Sequence, residues 1–340
     1  LIGIAGAIVL PIAYDRDEPR KFDRSKPFQP ADRGVIMNQG NDRRTFLKGV
    51  AAVTALSGSD QARGEDGRGA NFVCFTCGTQ YARSEKPPEH CPICEDERQY
   101  VGLNGQKWTT REAMQGKHKN VIKEEEPGLY SINTDPSFGI GQRAFLIRTT
   151  KGNVLWDCVA HLDDATIRRI RELGGVAEIA VSHPHYYTTM IDWSRAFGDA
   201  PIHIHERDKT WVQRPDPCVV FWSGETKKLL GCVDLVCTGG HFAGFQVLHW
   251  AGGAGGKGVL MAGDQPQVCM DPRKVSFMWS YPNLIPLNAT AIRQVKKSLD
   301  PLKYDRLYGA FVARGRGVVL SDAKGVVDRS AARYLKAIEG

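Results

Sequence analysis

From residue 128 onward, short apolar blocks alternate with polar ones, and the period of the pattern changes several times along the chain. Residues 129–133, 144–149 and 153–159 are rich in β-formers, and Lys151-Gly152-Asn153 supplies a tight turn between the last two. Together they predict a β-meander. The spacing then becomes helical over 165–173, with Ile167, Ile170 and Leu173 on one face, Asp163-Asp164 ahead of them and Gly174-Gly175 behind. This predicts a capped helix lying on the sheet. Further strands are expected at 176–181, 201–205, 233–237, 245–250 and 259–262, with helices at 188–197, 289–299 and 321–338. Strands with intervening helices imply an α/β domain whose helices pack outside two central sheets.

The first 70 residues read as leader and linker. Residues 1–13 are apolar but too short to span a bilayer, and no stable membrane span is expected. The stretch Asn41-Asp42-Arg43-Arg44-Thr45-Phe46-Leu47-Lys48, followed by mildly apolar residues 49–56, resembles a twin-arginine export signal, and residues 57–70 form a Gly/Ser/charged linker. That resemblance implies a periplasmic protein exported already folded; a cytoplasmic one is the alternative. At 340 residues, 42% of them hydrophobic, the chain can form one large domain plus a small appendage. A net charge of +7 with no dense Lys/Arg tract among aromatics gives no support to a nucleic-acid surface, so the expected partner is a small-molecule substrate.

Nine cysteines divide into a tight quartet and five scattered ones, Cys158, Cys218, Cys232, Cys237 and Cys269, expected as buried thiols. The quartet forms two knuckles, Cys74-Phe75-Thr76-Cys77 and Cys91-Pro92-Ile93-Cys94, within a module at 71–103 that has too little core to fold without a staple. Two such turns let four thiolates converge on one metal ion. The knuckles resemble those of rubredoxin and zinc ribbons; Glu95 stands where rubredoxin-like knuckles carry glycine, which favours structural zinc over redox iron. His90 is surplus to a four-thiolate set, and residues 104–127 are expected to be linker.

Candidate chemistry in the large domain lies just after its strands: His183 and His185 in Ser182-His183-Pro184-His185, His241 in Gly239-Gly240-His241, and Asp264 in Gly263-Asp264. Imidazoles and a carboxylate suit a borderline-soft divalent ion. In this order and context, over about residues 128–340, the motifs resemble the metallo-β-lactamase superfamily of hydrolases and oxidoreductases. The resemblance implies an αββα four-layer sandwich. It also implies that His183, His185 and His241 hold the first metal of a usually dinuclear site, with Asp264 as bridge. The chain departs from the family where Tyr187 and Thr188 replace an aspartate and a histidine, and where Gly309-Ala310-Phe311 replaces the last histidine. Each missing ligand belongs to the second site, so one ion, zinc or iron, is expected.

Such an ion acidifies its water and polarises a carbonyl, giving a hydrolase of a small ester, lactone or thioester with Asp264 as ligand or general base. An iron oxidoreductase resembling persulfide dioxygenases is the alternative, and a non-catalytic binding protein on the same fold is the third reading. Tyr187 is expected either to hydrogen-bond a substrate oxyanion or to pack over the vacated second site. His203 and His205 lie outside the family motif and are expected as a buried strand pair, as are most of Trp193, Trp211, Trp222 and Trp250 in the core. The aromatic loop 276–283 is a candidate for selectivity, and Gly252-Gly253-Ala254-Gly255-Gly256 for a flexible hairpin.

Overall fold

The computed structural model describes residues 69–312 and 317–340, all within one compact unit, Glu65–Gly340. The Arg43-Arg44 motif lies outside the described residues. Seven strands form the first sheet in chain order: Lys119–Glu126, Leu129–Asp135, Ala144–Thr149, Gly152–Trp156, Glu178–Ala180, Ile202–His205 and Val219–Trp222. The first four pair antiparallel through hairpins; from Gly152–Trp156 onward the pairing is parallel, which requires crossovers. Two of these crossovers contain the helices Asp164–Glu172 and Met190–Ala196. Asp163 caps the first, its side chain accepting from the Thr166 amide at 2.7 Å.

The second sheet runs in the order Thr226–Leu229, Val233–Cys237, Gln246–Trp250, Val259–Gly263, Arg306–Gly309, Val318–Val319. Alternation along the strands sorts side chains into three cores. Tyr130, Leu146, Leu155 and Ile179 meet Ile170, Met190 and Trp193 of the first helical layer. Phe145, Ile147 and Trp156 meet Leu235, Leu248 and Met261 between the sheets. Val247, Leu260 and Leu307 meet Ile292 and Val295 of helix Ala289–Leu299 and Val326 and Val327 of helix Ala323–Glu339. These are the four layers, αββα, expected from the motifs.

One expectation is corrected. Residues 104–127 are not a linker: Trp108–Thr110 pairs with Phe72–Cys74 and closes the cysteine module, and Lys119–Glu126 is the edge strand of the first sheet. Residues 252–256 lie in the loop of a hairpin, between the antiparallel strands Gln246–Trp250 and Val259–Gly263, and turn through left-handed Ala254 and Gly255. His183 and His185 follow the strand Glu178–Ala180, as expected, and are carried by a single 3-10 turn, Pro184–Tyr186, begun by proline. Among the described residues no helix is long and apolar enough to cross a membrane.

Candidate metal centre and its pocket

Each of the four metal-binding candidates of the large domain sits just beyond the carboxyl end of a strand, where the two sheets meet. Gln246 of the second sheet ties that seam, donating to the Val181 and His203 carbonyls of the first at 2.7 and 2.9 Å while Trp222 Nε1 donates to its Oε1. One donor atom from each of His183, His185, His241 and Asp264 lies within 4.8 Å of the others, and all four residues are buried.

Geometry fixes how each imidazole is presented. His241 Nδ1 lies 3.2 Å from the Met278 carbonyl, which calls for a proton there and leaves Nε2 as a lone pair. That Nε2 stands 3.4 Å from His185 Nδ1, and His183 Nε2 stands 3.3 Å from Asp264 Oδ2. His183 Nδ1 is 2.9 Å from Ser182 Oγ, and the Ser182 amide donates to Asp157 Oδ1 at 2.7 Å. His241 is placed by a loop that only glycine allows: Gly240 has φ +94°, and a Cβ there would come within 2.5 Å of Gln265 Oε1, the acceptor for the His241 amide.

Burial lowers the pKa of His183 and His185 and carries His241 down to about 3, so the imidazoles stay neutral near pH 7. Burial would raise Asp264, but His183, His241 and the Tyr186 hydroxyl hold it below the usual carboxylate range. A charged carboxylate among neutral, buried, lone-pair-bearing nitrogens is a donor set that fits a divalent cation.

The groups that surround this set differ from expectation. Tyr186, not Tyr187, reaches the site: its hydroxyl donates to Asp264 Oδ1, and burial raises its pKa well above the usual value, so it remains a donor. The Tyr187 hydroxyl is spent on the Asp208 carbonyl at 3.3 Å, and its ring joins the core beneath the first sheet. Where the family's last histidine is expected, Ala310 accepts from the Arg143 amide and Phe311 lines the pocket. Among the described residues, this is the one His/Asp cluster with metal-binding geometry. His203 and His205 lie away from it, facing Glu178 and the Gly224 carbonyl.

The cysteine group is enclosed. Cys74 and Cys94 sulfurs are 3.5 Å apart and those of Cys77 and Cys91 3.7 Å, close to the about 3.8 Å edge of a tetrahedron with metal–sulfur bonds of about 2.3 Å. All four are free thiols, buried, and form the module's own core with Tyr81 and Ile93. His90 stands outside, paired with Glu95 at 2.7 Å.

The histidine group, by contrast, opens on a cavity of about 230 Å³ to which His185 and Asp264 both contribute. Thr76 and Gln99 of the cysteine module line it together with Tyr281 and Phe311. The aromatic loop 276–283 thus belongs to the site: the Tyr281 hydroxyl donates to the Asp264 carbonyl at 2.5 Å and Met278 holds His241. Sequence reasoning flagged that loop but missed Arg98, Gln265 and Asp157, which carry no motif; only the proximity of Arg98 to the second knuckle hinted at it.

No protein-family model matches the chain. Over 269 residues it is 51% identical to the uncharacterized protein YmaE of Bacillus subtilis (strain 168), the match covering 78% of this chain and 96% of that protein. Among solved structures, it is similar to VMB-1 (13% identity, TM-score 0.48, 65% of this chain and 98% of that one). It is also similar to a Cronobacter sakazakii metallo-β-lactamase with a HARLDQ motif (19%, 0.43, 64% and 92%). A third is a B3 metallo-β-lactamase with an active-site glutamic acid (18%, 0.39, 66% and 91%).

Proposed function

The chain belongs to one family with the uncharacterized protein YmaE, and from its own His/Asp cluster we propose that it is a metal-dependent hydrolase of a small ester, lactone or thioester, working at a mononuclear site of three histidines and one aspartate. One observation carries this reading: the histidine group opens on a cavity, whereas the cysteine group is sealed. A structural metal site is closed, and a catalytic one keeps a position for solvent or substrate.

His183, His185 and His241 would hold the ion, with Asp264 as fourth ligand. Held by those residues, a divalent ion would supply Lewis acidity, for activating water near neutral pH and for polarising a substrate carbonyl. The chain's own residues do the rest. Asp264, held ionised by its neighbours, is a better ligand than general base near neutrality, because its low pKa makes it a weak proton acceptor. Tyr186 and Tyr281 pin its side chain and its carbonyl. Phe311 and Pro282 exclude bulk water from one side of a pocket whose volume suits a small acyl compound. The four cysteines would hold structural zinc.

The test is metal analysis of the purified protein together with turnover of small aryl esters, lactones and thioesters. His183→Ala is expected to lose the metal of one site only and all turnover. Retention of both metals by His183→Ala would sink the assignment of the centre. Iron in the histidine group with thiol-dependent oxygen uptake, and no ester cleavage, would replace the hydrolase reading with the oxidoreductase one.

A further inference from the structure

The segment that leaves the second knuckle turns directly onto the histidine group. The Asp96 amide donates to the Pro92 carbonyl of the knuckle, and the Asp96 carboxylate takes Nε and Nη2 of Arg98 at 2.5 and 2.8 Å. The guanidinium stacks 3.8 Å from the ring centre of Phe242 and 4.5 Å from that of Trp279. Its remaining fork, Nη1, donates to the backbone carbonyl of His241 at 3.1 Å. Arg98 is 8% exposed.

His241 is therefore held at three points by three segments: its amide by Gln265, its Nδ1 by Met278, its carbonyl by Arg98. Arg98 alone comes from the cysteine module. The loop it grips follows two glycines with positive φ, Gly239 and Gly240, so the backbone before His241 is intrinsically permissive and its ring position depends on these anchors. The chemistry also asks for arginine at this point: a planar fork bonds in-plane to a carboxylate and a carbonyl while its faces stack on two aromatic rings, which a lysine ammonium does not reproduce. A cation so close to a divalent ion would repel it, and Asp96 neutralises that charge.

We propose that Arg98 is a positioning residue through which the cysteine module sets the third imidazole, so that metal held by the four cysteines strengthens metal binding at His183, His185, His241 and Asp264. This rests on reading both clusters as metal sites, but not on the hydrolase reaction. The two groups are then linked sites, and by reciprocity each ion favours the other.

Cobalt(II) titration of the whole apo-protein distinguishes the sites, because only the cysteine group gives intense thiolate-to-cobalt absorption in the near ultraviolet. Arg98→Met is expected to weaken cobalt at the histidine group by about 10- to 100-fold, the usual effect of removing a residue that orients a metal ligand, and the cysteine group by less than about threefold. Arg98→Lys should recover part of the loss, and it decides the matter if Arg98→Met does not fold. Cys91→Ser, with the module's metal gone, should show a loss at the histidine group as large as Arg98→Met. Gln80→Ala removes another contact between module and domain, the bond from its Nε2 to Asp192 Oδ2 at 3.0 Å, and should leave both affinities unchanged. Affinity at the histidine group within twofold of wild type in both Arg98 variants overturns the proposal, as does an equal loss in Gln80→Ala, which would mean simple docking. Failure of wild type to bind cobalt at the histidine group overturns the metal-site reading itself; absence of esterase activity touches neither.

Discussion

Asp264 illustrates how a single carboxylate is committed from all sides. Oδ2 faces His183, Oδ1 takes the Tyr186 phenol, and the backbone carbonyl takes the Tyr281 phenol. In a dinuclear site the second oxygen would face another ion; here a neutral hydroxyl donor occupies that oxygen. Removing it leaves a buried oxygen without its donor, which costs about 1–3 kcal/mol. Tyr186→Phe is therefore expected to lower stability by that amount, read as a shift in the denaturation midpoint, and to weaken metal retention about tenfold in a chelator competition. Tyr187→Phe gives up only a 3.3 Å bond to a carbonyl and should stay within about 1 kcal/mol of wild type with its metal retained. Equal metal loss in the two variants would show that Tyr186 has no special relation to Asp264.

The cysteine module is an element with little core beyond its four cysteines. Its core consists of the four thiols with Tyr81 and Ile93, and its regular structure is two three-residue strands and one helical turn. Burial raises Cys77 above its ordinary value while hydrogen bonds from the other three cysteines lower Cys74, an arrangement that four thiolates complete only around a cation. Cys91→Ser should lose one metal and become cleavable by a protease within residues 96–107, while His183→Ala loses its metal with this segment protected. Equal cleavage of both variants would show that the module's order comes from docking, not from metal. Which elements were legible follows the same physics. Residues 144–149 and 233–237 were bounded correctly because mostly apolar runs are flanked by polar and turn-forming residues, and 289–299 because Ile292, Val295 and Leu299 repeat at helical spacing. The strand Lys119–Glu126 was hidden: as an exposed edge, Lys-Asn-Val-Ile-Lys-Glu-Glu-Glu shows charge where a buried strand shows β-branched residues, and its conformation comes from its partner Leu129–Asp135. The four candidate ligands were legible because metal chemistry restricts residue type and strand ends restrict position. Arg98 was not, nor was the bond from Tyr186 to Asp264, since both depend on where two distant segments fold together.

At the scale of the whole molecule, the two-sheet architecture buries imidazole in places with no metal to hold. Along Ile202–His205 the isoleucines face the helical layer, so His203 and His205 point to the opposite face of the strand. Burial carries His203 down to about 4, with the Lys227 charge acting in the same direction, although Glu178 Oε2 lies 3.1 Å from its Nε2. Burial also raises Glu178, so the carboxylate is a poor counter-ion for an imidazolium. In the unfolded chain the imidazole titrates near 6.5. Below that pH the unfolded state takes up a proton that the folded state refuses until about pH 4, so the unfolded state binds more protons and stability falls as pH falls across this window. The slope is at most about 1.4 kcal/mol per pH unit for one group. Urea unfolding at pH 7, 6 and 5 should therefore show wild type losing stability faster than His203→Gln, by up to about 2 kcal/mol at pH 5. Protonation of the metal-binding groups weakens both proteins alike and cancels in the comparison. Parallel lines for the two proteins would mean that Glu178 supports the protonated imidazole after all and that the seam between the sheets tolerates charge.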